Sequence, residues 1–150
     1  MIDWPVAELV PHAGDAILLD AIDDFDDESL RAHLDVRPGG LYSQPDGSLP
    51  AALGLEIMAQ AVAAYAGCRA RQAGLPVELG FLLGTRSYHC PLERFAAGSR
   101  LRVEVRCSLQ DDNGMGVFEC RIEAEGATIE ARLNVFRPPE VASYLQESAP

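Results

Sequence analysis

GLEIMAQAVAAYAG, residues 54–67, is apolar or small at almost every position and carries a single charge, Glu56. A run apolar on all sides suits a helix buried within a protein better than one lying on its surface. Residues four apart share a helix face, so the Gln60 amide stands beside the Glu56 carboxylate. A buried carboxylate is expensive unless it is paired or neutralised. Either the pair faces a wet cavity or it does chemistry. The structural alternative is a Glu56 bonded to backbone or to an arginine.

The flanks extend this helix. It is expected to start near Pro50 or Ala51, to run past Arg69 and to stop at Gly74 and Pro76. Before it, Asp3 and Pro5 suit the start of a short helix over residues 3–10. PHAGDAILLDAI (11–22) reads as a loop entering a strand that ends near Ile22, and DDFDDES as an acidic turn. LRAHLDV (30–36) alternates as a half-buried strand does. RPGGLYSQPDGSLP (37–50) is too rich in Gly and Pro to be anything but a loop. Beyond the helix, ELGFLLGTRSYHC is a strand interrupted by Gly84. RLRVEVRCSL and MGVFECRIEAEG are strands joined by the hairpin turn QDDNG, and ATIEARLNVFR closes the sheet. Residues 138–150 form a tail. One long helix and five or six largely antiparallel strands predict an α+β fold in a single domain, 1–150.

The composition narrows the function. The chain has 150 residues and a net charge of −11, which disfavours a nucleic-acid partner. Its twelve positive charges are all arginine, a residue suited to gripping carboxylate or phosphate in a fork. Cysteines 68, 90, 107 and 120 have no CxxC or metal-ligand spacing and read as reduced thiols of a cytoplasmic protein. No metal or cofactor is called for. The N-terminus lacks the positive and long apolar regions of a signal peptide. Residues 49–68 are the one candidate membrane span, and Glu56, Gln60 and two glycines within it argue for a buried soluble helix and no membrane.

LPAALGLEIMAQAVAAYAG (49–67) resembles the central helix of the hot-dog-fold β-hydroxyacyl-acyl-carrier-protein dehydratases, at Pro50, Leu53, Gly54, Leu55, Glu56, Met58 and Gln60. LVPHAGDAILLDAI resembles the family's N-terminal PHRYPFLLVD stretch at Pro11, His12, Leu18, Leu19 and Asp20. GFLLGTRSYHCPLERFAAGSRLRVEV resembles the segment after the helix. Within the family the pattern is most similar to predicted dehydratase subunits of aryl-polyene-type clusters.

The resemblance implies a hot-dog fold, in which a curved antiparallel sheet wraps the long helix and subunits pair. It also implies an active site at the subunit interface. There a histidine removes a proton from C2 of a 3-hydroxyacyl thioester, the helix acid protonates the departing hydroxyl, and a trans-2-enoyl thioester and water result. A backbone N–H at the helix start, matching Ala51, would stabilise the charge developing on the thioester oxygen. Burial in an apolar helix is expected to raise the Glu56 pKa and so suit it as the acid. Gln60 would position it, and Arg86, with Arg94, Arg100 and Arg102, is a candidate for gripping the phosphate of a phosphopantetheine arm. The implied substrate is carried on an acyl carrier protein or on coenzyme A. Carrier proteins are acidic, so docking would need a local arginine patch, for which Arg69, Arg71, Arg86 and Arg94 are candidates.

One position departs from the family. Its histidine lies in HFPG, fourteen residues before the acid, where this chain has Tyr42. Tyrosine, with an ordinary pKa near 10, is a poor base at neutral pH. His33 reads as a strand histidine, and His89 is set against pairing with Cys90 because adjacent strand residues point to opposite faces. Two routes remain. His12 enters the site from its loop, or a histidine comes from another subunit, making the enzyme a heterodimer in place of a homodimer. A non-catalytic acyl-binding subunit and an acyl thioesterase are the alternative functions.

Overall fold

The computed structural model describes residues 4–11, 14–76 and 81–136, without the side chains of residues 81–83, 86 and 87. The expected tail and His12 lie outside the described residues. In place of a helix over 3–10 there is one 3-10 turn, Val6–Glu8, entered through Pro5, whose φ of −61° suits a helix start. A second such turn, Gly14–Ala16, precedes strand β1, Ala21–Phe25, which begins later than the apolar run Ile17–Leu19 suggests. β2 is Ser29–Asp35 and β3 is the short Leu49–Pro50. Helix α1 spans Leu53–Gln72. It is followed by β4, Phe81–His89, the two-residue β5, Arg94–Phe95, and the long β6, Arg100–Gln110. Met115–Ala124 forms β7 and Ala127–Phe136 forms β8.

Six strands make one antiparallel sheet in the order β1-β2-β6-β7-β8-β4, and β3 and β5 pair separately. The hairpin over QDDNG forms as expected. Asp111 accepts the N–H groups of Asn113 and Met115, both at 2.9 Å, and Gly114 takes a φ of 95°. The Gly84 interruption is a register shift in β4 between Leu82 and Gly84.

Period two divides the sheet into two faces. Leu30, Ala32 and Leu34 of β2, Leu101, Val103 and Val105 of β6, Phe118, Cys120 and Ile122 of β7, and Ile129, Ala131 and Leu133 of β8 are buried on one. The other carries charge in rows: Arg31, Glu104, Arg121 and Glu130 lie opposite one another on successive strands. α1 packs on the apolar face, against β2, β6, β7 and β8.

One chain does not cover α1 all round. Ile57, Met58, Ala61, Val62, Ala64, Tyr65 and Cys68 are buried against the sheet, whereas Leu55, Glu56, Ala59, Ala63, Ala66 and Ala70 form a half-buried stripe at helical spacing. The helix ends in a Schellman motif. The Leu75 N–H donates to the Ala70 carbonyl at 2.8 Å, the Gly74 N–H to Arg71 at 3.1 Å, and Gly74 has a φ of 73°.

Candidate active site

Glu56 sits in the first turn of α1, half-buried on the uncovered stripe, and Gln60 is completely buried beneath it. Among the described residues the Gln60 amide is bonded at both ends. Its Oε1 accepts the Leu18 N–H at 2.8 Å and, more weakly, that of Leu19 at 3.5 Å. Its Nε2 donates to the Ala16 carbonyl at 2.8 Å and to Glu56 Oε1 at 3.2 Å. Two backbone donors on one end and a backbone acceptor on the other fix the orientation of the amide.

The same bonds explain the late start of β1. Ala16–Leu19 is recruited to the helix by Gln60, and strand pairing starts only at Ala21 opposite His33. Asp20, in the motif that the sequence shares with the dehydratases, ties this segment to the loop that follows β2. Its carboxylate accepts from the Asp35 N–H at 2.7 Å and from Arg37 at 2.8 Å.

That loop holds Tyr42 at the position of the missing histidine. Tyr42 is half-buried against the core while its neighbour Leu41 is well exposed. Bonds of the loop to itself set its path, among them Ser43 Oγ to the Arg37 carbonyl at 3.0 Å and the Gln44 N–H to the Ser48 carbonyl at 2.8 Å.

Ala51, expected to offer an open N–H, has that group taken up by the Glu93 carbonyl at 3.2 Å. Its own carbonyl accepts from the Tyr88 hydroxyl at 2.6 Å and from the Gly54 N–H at 3.0 Å. Burial, with the Cys90 thiol adding to it, pushes the Tyr88 phenol up to about 12, so it remains a donor at neutral pH. Sequence reasoning missed Tyr88 and Glu93. The available signal was Gly54, a glycine inside a helix where nothing in the helix itself asks for one.

The remaining candidates are scattered. Arg86 belongs to the edge strand β4, opposite Arg132. Arg94 pairs with Asp46 near the start of α1, and Arg100 grips Asp35 through both Nε at 2.8 Å and Nη2 at 3.0 Å. Arg69 and Arg71 lie at the far end of the helix, paired with Asp27 and Glu8. The candidate docking arginines that are described do not form one patch, because a 20-residue helix, about 30 Å long, separates Arg94 from the other two. His33 is bonded to Asp23, Nδ1 to Oδ1 at 2.8 Å, and His89 is exposed on β4. Cys68 and Cys120 are core thiols, pushed by burial up to about 11 and about 12. No group of three or more potential ligands placed to hold a metal ion occurs among the described residues, and no helix there is long and apolar enough to cross a membrane.

A helix laid across one face of such a sheet is the hot-dog arrangement, and solved hot-dog proteins share it. The PaaI protein of the phenylacetic acid degradation operon of E. coli is 16% identical over 77% of this chain and 81% of its own, with a TM-score of 0.59. A hypothetical thioesterase from Streptococcus pneumoniae TIGR4, solved with coenzyme A, is 16% identical over 77% and 86%, with a TM-score of 0.56. At that identity the likeness extends to the fold alone. A chain of the dehydratase heterocomplex ApeI:P from Xenorhabdus doucetiae is much more similar, 28% identical over 97% of this chain and 99% of that one, with a TM-score of 0.85. The family model described as ApeP-like, ApeP dehydratase, matches residues 4–146, and the chain belongs to that dehydratase family. No curated protein matches it.

Proposed function

We infer that the chain is the acid-bearing subunit of a 3-hydroxyacyl-thioester dehydratase whose base lies on a second hot-dog subunit. The observation that carries this reading is Glu56 on the uncovered stripe of α1, with one carboxylate oxygen held by a buried amide. A partner seated on that stripe would close the site around the acid. The ApeI:P dehydratase from Xenorhabdus doucetiae is a heterocomplex, which supports a partner of this kind. Tyr42 at the histidine position supports it too, since this chain's loop offers no base of ordinary strength there.

In the proposed reaction the partner's histidine takes the C2 proton, and the electron pair of that C–H bond forms the C2–C3 double bond. The C3–O bond breaks as the Glu56 carboxyl delivers a proton to the leaving hydroxyl, and water departs. The product is a trans-2-enoyl thioester. Return of the histidine's proton to Glu56 through water resets the site. The acyl group would be carried on an acyl carrier protein or coenzyme A, and the resemblance to aryl-polyene-type subunits favours the carrier protein. Arg86 would then be tested as a grip for the phosphopantetheine phosphate.

The test is reconstitution. The purified chain, a hot-dog subunit that retains HFPG, and the two together are incubated with a 3-hydroxyacyl thioester while enoyl absorbance and free thiol are followed. Dehydration by the mixture and near-inactivity of each part is the expected result. Changing His12 to Ala is expected to leave the reconstituted rate within about tenfold, as loss of a positioning role does. Robust dehydration by this chain alone, abolished by that change, would make His12 the base. Release of thiol without enoyl would make the protein a thioesterase.

A further inference from the structure

Gly54 lacks a side chain for a reason that lies outside its own helix. A Cβ there would overlap the Tyr88 hydroxyl, with the Tyr88 Cζ 3.2 Å away and the Phe95 Cζ 3.4 Å away. The phenol that fills this space donates to the Ala51 carbonyl, and Glu93, five residues after Tyr88, accepts the Ala51 N–H. Both polar main-chain atoms of Ala51 are thus gripped, one from the end of β4 and one from the loop that leads to β5. The grip fixes the helix start against the strands, which intrahelical bonds alone cannot do.

The next N–H, that of Ala52, belongs to the same peptide unit as the Ala51 carbonyl. In a trans peptide it points the opposite way. Ala52 is exposed, and among the described residues its N–H has no partner. A carbonyl that accepts two hydrogen bonds polarises its amide and strengthens the N–H at the other end.

The geometry points to Tyr88 as a positioning residue of the dehydration: by holding the Ala51 carbonyl it aims the Ala51–Ala52 peptide and sets the first turn of α1, which carries Glu56. This rests on the reading of Glu56 as the acid. Tyr88 touches no substrate in this scheme. It acts through the placement of main-chain atoms and of the Glu56 carboxylate, where a displacement of about 1 Å is enough to slow a reaction roughly a hundredfold.

The test uses the reconstituted complex and a short 3-hydroxyacyl thioester of pantetheine. Tyr88→Phe keeps the ring and deletes one hydroxyl. It is expected to lower kcat by about tenfold or more with KM within about threefold, and to leave thermal unfolding close to that of the parent. Gly54→Ala displaces the phenol and is expected to lose at least as much. Added to Tyr88→Phe it should cost less than about twofold more, because the hydroxyl it would strike is gone. Tyr88→Phe with kcat within about twofold of the parent, while Glu56→Gln loses its rate in the same assay, overturns the proposal and leaves the acid in place. Losses that multiply in the double variant overturn it as well. Full activity in Glu56→Gln, or no dehydration by the parent complex, removes the underlying reading and the proposal with it.

Discussion

At its N-terminal end α1 is fastened by neutral hydrogen bonds to main-chain atoms. Tyr88 and Glu93 hold Ala51, and Gln60 holds Ala16 and Leu18. At its C-terminal end it is fastened by charge and contact. Arg69 pairs with Asp27, Arg71 pairs with Glu8 at 2.8 Å and lies 4.9 Å from the centre of the Trp4 ring, and the Leu9 carbonyl rests on Gly67. The ion pairs are screened by water and by salt, so they contribute little each and tolerate loss. The neutral bonds are partly shielded from water, and that of Gln60 is made by a fully buried amide, so breaking one costs more. The fastenings that cost more to break lie at the end that carries Glu56.

The comparison breaks most readily at Gln60. Gln60→Leu strands the Leu18 N–H and the Ala16 carbonyl, and is expected to cost about 3 kcal/mol by denaturant titration. Glu56→Gln keeps shape and hydrogen bonding but removes the proton. Dehydration by the reconstituted complex should fall at least about a hundredfold with the unfolding midpoint nearly unchanged. Gly67→Ala drives a Cβ into the Leu9 carbonyl group, whose carbon lies 2.9 Å away, and should destabilise the chain by about 2 kcal/mol on thermal unfolding. Arg71→Ala, at the same end, should cost no more than about 1 kcal/mol, and less at high salt.

The smallest effect is one of pH. The Glu28 N–H, the Ser29 hydroxyl and the Ser29 N–H hold the Asp26 carboxyl below its ordinary 3.8. A group whose folded pKa is depressed stabilises the fold above its unfolded value, and that stability disappears as pH falls through the folded one. The acid limb of a stability–pH curve should therefore flatten slightly in Asp26→Asn, because stability in the neutral region falls slightly while that at acid pH is unchanged.

Two local signals of the sequence are followed closely by the structure. LRAHLDV became β2 because its alternation matches one buried face, and QDDNG became a hairpin because Asp111 and Gly114 supply the turn. Glu56 and Gln60 were legible as a pair because helical spacing alone puts them together. What escaped depends on partners far along the chain. The late start of β1 needs Gln60, some forty residues away, and the grip on Ala51 needs Tyr88 and Glu93 from beyond the helix. The helix begins at Leu53 and not at Pro50 because Leu49 and Pro50 pair with β5. The arginines expected to gather did not, since each described one found a nearby carboxylate first.

The strand order has a consequence for synthesis. α1 leaves the ribosome after β1 and β2 but before β6, β7 and β8, on which most of its buried side rests. At ordinary elongation rates the interval between Gln72 and Phe136 is on the order of 5 s. Throughout it the nascent chain displays an apolar helix with only a two-stranded ribbon to lie on. Nascent chains stalled before β6 should be held by chaperones or aggregate, and those extended past Phe136 should be released.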